Sequence, residues 1–323
     1  MTSTVGRIDF RPAIEAAIRA PSMHNSQPWR FRIDGDAVLV VADPSRGLPV
    51  ADAGGWGTRI ACGAAALNVR LALEAMDHEA SIVWRPDPDR WVMARVEALE
   101  PRPASETVLR LHAAIFRRHS NRQPFSPEPV PSAARSELIR AAAEESAWLD
   151  LLTGPVPVGL VGEIARAADR LLNREERYRA EVLALTTAGE RSDGVPAWAG
   201  GPATEPQDLF PQRPFASVQR EPGDDFEAEP LVGVIGTPGD SVVDQLVAGA
   251  TLQRVLLTAT DLGLAASLFS QPIEVPAARE QLRAALRRRG VPQMVLRLGF
   301  GRPGQPTPRR PVEDVLDGGD RSR

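Results

Sequence analysis

Ala20-Pro-Ser-Met-His-Asn-Ser-Gln-Pro-Trp-Arg-Phe31 sets short polar side chains between two prolines and then runs into a tryptophan. Pro21 ends the helix predicted before it, because the residue preceding a proline is pushed out of the α region. Pro28-Trp29 then opens an extended segment. Alone, the stretch reads as a capped turn packing one tryptophan. A second stretch changes its weight: Arg117-Arg-His-Ser-Asn-Arg-Gln-Pro-Phe125. There Arg118, Ser120 and Arg122 alternate, so two guanidinium forks and a hydroxyl can converge on a phosphate through charge-assisted, bidentate bonds. Alone, that stretch also has a plain reading, a solvated basic loop.

The surrounding composition narrows the chemistry. The chain has 323 residues, enough for two domains or one large one. It is 43% hydrophobic and 25% charged, as in ordinary soluble globular proteins. A formal net charge of −4 gives no electrostatic case for nucleic acid. All 38 basic residues are arginine, which excludes a lysine Schiff base and a P-loop lysine together. Cys62 has no second cysteine to pair with, which fits a reducing cytoplasm. The first twenty residues lack the apolar core of a signal peptide. The most apolar stretch, Leu246 to Phe269, carries Gln253, Arg254 and Asp261 and reads as a buried helix, not a membrane span.

Outward from the two motifs the pattern alternates helices and strands. A short helix covers Pro12–Arg19, and a hairpin forms from Trp29–Ile33 and Ala37–Val41 around Asp34-Gly35. Arg59–Met76 is a long Ala/Leu helix, followed by strands at Ser81–Trp84 and Trp91–Ala98. Helices are predicted over Thr107–Arg118, over Ser132–Glu144 with Ser132 as N-cap, and over Val158–Leu185 as one amphipathic run. Trp148–Leu152 reads as a strand. From Gly189 to Pro230, Gly, Pro, Asp and Gln dominate, with Trp198, Phe210, Phe215 and Phe226 among them. A tract of that length is expected to be a lid or binding loop, and its aromatic side chains argue against pure disorder. Then come a strand at Leu231–Ile235, a helix over Asp240–Leu262, a strand at Leu264–Phe269, a helix over Ala277–Arg289 and a strand at Gln293–Leu298.

A repeat runs through this order. When Gly63-Ala64 is set against Gly249-Ala250, Val69 meets Val255, Leu71 meets Leu257, and Ala80-Ser81 meets Ala266-Ser267. Trp29 with its strand can likewise be set against Trp148 with its strand.

Together, Pro-Ser-x-x-Asn-Ser-Gln-Pro-Trp and Arg-x-Ser-x-Arg resemble motifs of the FMN-dependent nitroreductase family. In that family the Arg-x-Ser-x-Arg stretch comes first and holds the phosphate and pyrimidine side of the flavin. The other stretch comes later and reaches the flavin of the partner subunit. Here the order is reversed, and the counterpart of the polar turn in the second half, Glu144-Glu-Ser-Ala-Trp148, lacks the polar set. The chain therefore resembles two nitroreductase subunits fused into one, with one complete flavin site and one lost, as in Acg-type members of actinobacteria. The resemblance implies an α+β nitroreductase-like fold whose two half-domains form an internal pseudo-dimer. Each half would be a central, mostly antiparallel sheet wrapped by helices. The halves would be residues 1–105 and 106–316, the second carrying a lid-like insert at 189–230 and followed by a tail, 317–323. FMN would lie in the crevice between them, with the helices over 59–76 and 240–262 as the pseudo-twofold core.

Carried over residue by residue, the resemblance places Arg118 and Ser120 on the FMN phosphate or ribityl chain and Arg122 at the pyrimidine edge. It places Ser22, His24, Asn25 and Gln27 on the opposite wall. Gln271 and the backbone of Pro272, Ile273 and Glu274 would lie near flavin N5, and Arg309 or Arg310 would face the phosphate. His24 is open between a packed histidine and a proton donor. No side chain is required as a catalytic acid or base, because the flavin carries the chemistry.

Other patterns carry less. Gly299-Phe-Gly-Arg-Pro-Gly304 matches a dinucleotide fingerprint, but Pro303, Pro306 and Pro308 forbid the helix that must follow. His24, His78, His112 and His119 lack metal-ligand spacing, so no metal is expected. Three functions remain to be weighed. One is an oxidoreductase passing hydride from NAD(P)H through FMN to a small-molecule acceptor. Another is a flavin-sequestering protein whose insert blocks turnover. The third is a binding module without flavin. No nucleic-acid or membrane partner is expected, and the oligomeric expectation is a monomer with an internal pseudo-dimer or a weak homodimer.

Overall fold

A computed structural model describes residues 8–87, 89–187, 191–205, 207–213, 215 and 226–317. Part of the 189–230 insert and the tail beyond 317 therefore lie outside the described residues. The first half begins with α1 (Arg11–Ala17), which has Pro12 in its first turn. Strands β1 (Trp29–Asp34) and β2 (Ala37–Ala42) form a hairpin in which Asp34 faces Ala37, so the turn is Gly35-Asp36. Gly35 takes φ +59°, a left-handed value that glycine adopts without a Cβ clash. Helix α2 (Trp56–Ala75) leads to β3 (His78–Trp84) and β4 (Val92–Pro101). The four strands form an antiparallel sheet in the order β1-β2-β4-β3.

The second half repeats that plan with insertions. After α3 (Glu106–Arg117) and α4 (Ser132–Glu144) comes β5 (Trp148–Leu152). The tight hairpin turn of the first half is here replaced by α5 (Pro155–Arg174), α6 (Glu176–Ala184), the short parallel pair β6 (Thr186–Thr187) and β7 (Val195–Pro196), and the insert. Strand β8 (Leu231–Thr237), helix α7 (Val242–Asp261) and strand β9 (Ala265–Phe269) follow. The short helix α8 (Gln271–Glu274) and α9 (Pro276–Leu286) separate β9 from β10 (Val291–Gly299). The sheet order β5-β8-β10-β9 is again antiparallel and matches β1-β2-β4-β3 strand for strand.

Helices α2 and α7 pack against each other at the centre of the molecule. A Cβ built on Gly63 would meet the Leu246 carbonyl oxygen at 2.0 Å, and one on Gly249 would meet the Ile60 oxygen at 2.1 Å. Ile60 and Leu246 each stand three residues before their own glycine, so the contact is reciprocal, as an isologous interface requires. Gly63 and Gly249, aligned in the sequence repeat, thus hold equivalent positions in the helix contact. The nitroreductase-like α+β architecture is present in both halves.

Three local expectations need correction. Helix α4 starts at Ser132, with Pro131 at the N-cap and no side-chain cap. The run over 158–185 is two helices, broken at Glu175, which is extended (φ −82°, ψ 117°). The break has a packing cause: Val158, Val161, Ile164, Ala165 and Ala168 face the core of the second sheet, whereas Tyr178 and Val182 pack with Leu48 and Ala51. One straight helix cannot present both sets to different partners. Finally, α10 (Val312–Val315), grouped by sequence with the second half, buries Val312 and Val315 in the first-half core beside Trp29 and Phe31. The Asp317 N–H donates to the Phe31 carbonyl at 2.7 Å.

Candidate cofactor site between the halves

The polar turn after α1 is held in an unusual backbone. His24, Asn25 and Gln27 have φ of 52°, 55° and 51°, left-handed values that cost a residue with a Cβ. Ser22 Oγ accepts from the Gln27 N–H at 3.0 Å and closes the turn. Asn25 Nδ2 donates to the Gly194 and Pro308 carbonyls at 2.8 and 3.0 Å. Gln27 Nε2 donates to the Ser192 carbonyl at 2.8 Å, and Gln27 Oε1 accepts from the Arg310 N–H at 2.9 Å.

The arginine segment sits on the far edge of the second sheet. Ser120 bridges Ala266 in parallel, and the Asn121 N–H donates to the Ala266 carbonyl at 2.8 Å. In extended chain, alternate side chains share a face. Asn121 accordingly turns away and donates to the Arg302 carbonyl at 2.7 Å, while Arg118, Ser120 and Arg122 face one cavity.

That cavity lies between the halves. The first half contributes the turn Pro21–Asn25 and the start of α2, with Trp56, Gly57, Ile60 and Ala61. The second half contributes Leu252 of α7, the end of β9 with Ser270 and Gln271, and Met294. The insert adds Pro211, Gln212, Arg213 and Phe215, and the chain end adds Thr307 and Arg309. Of the residues expected from the resemblance, Ser22, His24, Asn25, Arg118, Ser120, Arg122, Gln271 and Arg309 line the cavity. Gln27, Pro272, Ile273, Glu274 and Arg310 stand outside the lining. Gln27 is fully buried behind it, and the Arg310 side chain turns to the Asp314 carbonyl. Trp198 is 58% exposed and Phe210 packs on Phe269, so of the insert's described aromatic residues Phe215 reaches the cavity.

The electrostatics are one-sided. Among the described residues, four arginines line the cavity and no carboxylate does. Arg118 is 5% exposed, makes one guanidinium bond, to the Arg19 carbonyl, and has no carboxylate partner among the described residues. Burial pushes its pKa down to about 10. Arg122 donates to the Ala199 carbonyl at 2.8 Å and lies 5.1 Å over the Phe215 ring; burial and the neighbouring Arg213 push it down to about 10. Arg309 bonds Asn25 Oδ1 and Thr307, and burial together with Arg118 and Arg19 brings it down to about 9. The Nε atoms of Arg118 and Arg309 are buried with no partner among the described residues. Buried cations left without counter-charge are costly, so this donor set fits an anionic occupant of the phosphate type.

Arg213 differs, and its place in the site had no signature in the sequence. Although burial lowers its pKa, the buried Glu274 carboxylate raises it, and the two are ion-paired. Arg213 also bonds the Tyr178 hydroxyl, Ser270 Oγ at 2.9 Å and His24 Nε2 at 2.8 Å. Burial, then the Arg213 and Arg122 charges, hold His24 well below its ordinary pKa, so the ring is neutral. Among the described residues, no group of His, Cys, Asp and Glu is placed to hold a metal ion, and no helix is long and apolar enough to cross a membrane.

Duplicated antiparallel sheets around crossed central helices, with an arginine-lined crevice between the halves, define a nitroreductase-like protein, and the chain belongs to the nitroreductase family. It is 30% identical over 322 residues to the Mycobacterium tuberculosis H37Rv protein named "Putative NAD(P)H nitroreductase Rv3131", covering 95% of this chain and 90% of that one. It is 29% identical over 315 residues to "Putative NAD(P)H nitroreductase acg" of the same strain, covering 95% of each chain. Among solved structures, the FMN- and NADPH-dependent nitroreductase NfnB of a Sphingopyxis strain aligns with TM-score 0.43 and 17% identity, over 64% of this chain and 97% of that one. No protein-family model matches the chain.

Proposed function

We propose that the chain is an FMN-dependent oxidoreductase that takes hydride from NAD(P)H and delivers it to a small-molecule acceptor in the same cavity. The observation that carries this reading is the group of buried Arg118 with half-buried Arg122 and Arg309, which line one cavity without a carboxylate partner among the described residues. A phosphate monoester, with a charge near −2 at pH 7 and three acceptor oxygens, supplies the missing counter-charge. When bound, FMN supplies a reversible two-electron hydride carrier, which is the chemistry the protein lacks.

Within this reading Arg118, Arg309 and Ser120 hold the phosphate end. Arg122 sits where negative charge on the pyrimidine side needs a cation. The turn Ser22–Asn25 and the apolar start of α2 wall the ring, and Gln271 closes its other side. Phe215 and Gln212 of the insert keep water from the cavity.

A second reading has its own support: the insert is fastened over the cavity by the buried Arg213–Glu274 ion pair, which would suit a protein that sequesters flavin. Anaerobic mixing of the flavin-loaded protein with NADPH, then NADH, separates the two. Prompt bleaching of the flavin absorbance supports turnover; oxidised flavin that persists with both supports sequestration. The site itself is tested by Arg118→Ala with Arg122→Ala, expected to give folded protein without FMN. Stoichiometric FMN in that variant would reject the assignment.

A further inference from the structure

His24 makes one side-chain contact that fixes its chemistry. Its Nε2 lies 2.8 Å from Nη1 of Arg213. A guanidinium has donors and no acceptor, so Nε2 must accept. The ring is neutral, and its single proton therefore sits on Nδ1. Nδ1 is buried and has no partner among the described residues, although the ring lines the cavity. Arg213 is itself held by Glu274, Tyr178 and Ser270, and Phe215 packs edge-on against the imidazole with centroids 5.4 Å apart. A buried donor without an acceptor costs free energy, so this arrangement is poised for a ligand atom.

We propose that Arg213 locks His24 in its Nδ1–H form, making His24 a hydrogen-bond donor that selects a cavity occupant bearing a carbonyl or nitro oxygen. This deepens the oxidoreductase reading and rests on it for the identity of the occupant. The oxygen belongs either to the flavin ring or to the electron acceptor, since both are polar aromatic molecules of that chemistry. Arg213 acts as a positioning residue: it touches the donor and sets its proton. His24 holds its proton throughout and transfers none.

The tautomer can be read directly by long-range 1H–15N spectra of histidine-labelled protein, with His24 assigned by its loss in His24→Phe. The expected result is a protonated Nδ1 and a bare Nε2. The opposite tautomer, or a doubly protonated ring at pH 7, would overturn the proposal. Adding FMN and then menadione identifies the source of the oxygen. A shift of Nδ1–H at the first addition assigns it to the cofactor, a shift only at the second assigns it to the acceptor, and no shift at either overturns the proposal. Arg213→Met should leave a folded protein, checked by near-ultraviolet circular dichroism, in which both tautomers are populated. An unchanged pure Nδ1–H form in that variant also overturns the lock. His24→Phe should weaken binding of the assigned occupant about three- to tenfold, the range of one neutral hydrogen bond. A protein that binds no flavin would sink the oxidoreductase reading, while the tautomer spectra would still decide the lock.

Discussion

A buried arginine without a carboxylate is a liability in the empty protein and an asset in the loaded one. Arg118 illustrates the sign. Its folded pKa of about 10 lies below the ordinary arginine value, so the unfolded chain binds more protons between the two and stability gains with pH only there. At pH 7 the guanidinium is charged in both states and carries its burial cost in full. Arg118→Met should therefore raise the stability of flavin-free protein at pH 7 by on the order of 1–3 kcal/mol, while weakening FMN binding at least 100-fold. Urea unfolding and flavin-fluorescence titration measure the two effects, and a flavin-free variant less stable than its parent would reject the argument. The alternation of Arg118, Ser120 and Arg122 was legible in the sequence because a period of two needs nothing beyond local extension. Arg213 was not, because its four partners lie between 35 and 189 residues away and its own neighbours, Pro211, Gln212, Pro214 and Phe215, form no motif.

At the scale of elements, the close crossing of α2 and α7 rests on the absence of two side chains. Gly63→Ala would drive a methyl into the Leu246 carbonyl, and Gly249→Ala into that of Ile60. Helix propensity alone would favour alanine by about 1 kcal/mol. Backbone contact overrides it, because neither carbonyl is free to move without parting the helices. Each substitution should cost about 3 kcal/mol by chemical denaturation, and the two costs should be similar because the contact is reciprocal. The double variant should cost less than their sum, since helices parted by one methyl accommodate the second. Strictly additive effects would mean that the glycines act independently. The packing of these two helices was expected from the family resemblance, and the Gly-Ala alignment of the repeat marked the equivalent positions. The break between α5 and α6 gave no such warning, because its amphipathic period continues across Glu175 while the partner surfaces change.

Across the whole molecule, two segments far apart in sequence meet on one strained turn. Gln27 is fully buried and bonds both: its amide nitrogen holds the insert at Ser192, and its oxygen holds the chain end at Arg310. That second bond sets the backbone next to Arg309, which lines the cavity. The motif pointed to Gln27 as a wall residue, since one sequence shows residue types and not which way a left-handed turn aims them. Gln27→Leu keeps the approximate volume and removes both bonds, leaving the buried Arg310 N–H unpaired at about 1–3 kcal/mol and the Ser192 carbonyl, on an exposed residue, to solvent. The loss falls on the attachments of the insert and the chain end, while the α2–α7 core is untouched. The variant should therefore stay folded, release FMN more readily, and become more susceptible to limited proteolysis within 189–230. Added FMN should slow that cleavage in proportion to site occupancy, because a ligand in the cavity stabilises the state in which Arg213 and Phe215 of the insert line it. If the variant binds FMN as its parent does and resists protease equally, Gln27 merely fills space, and the insert and the chain end are fixed independently of the turn.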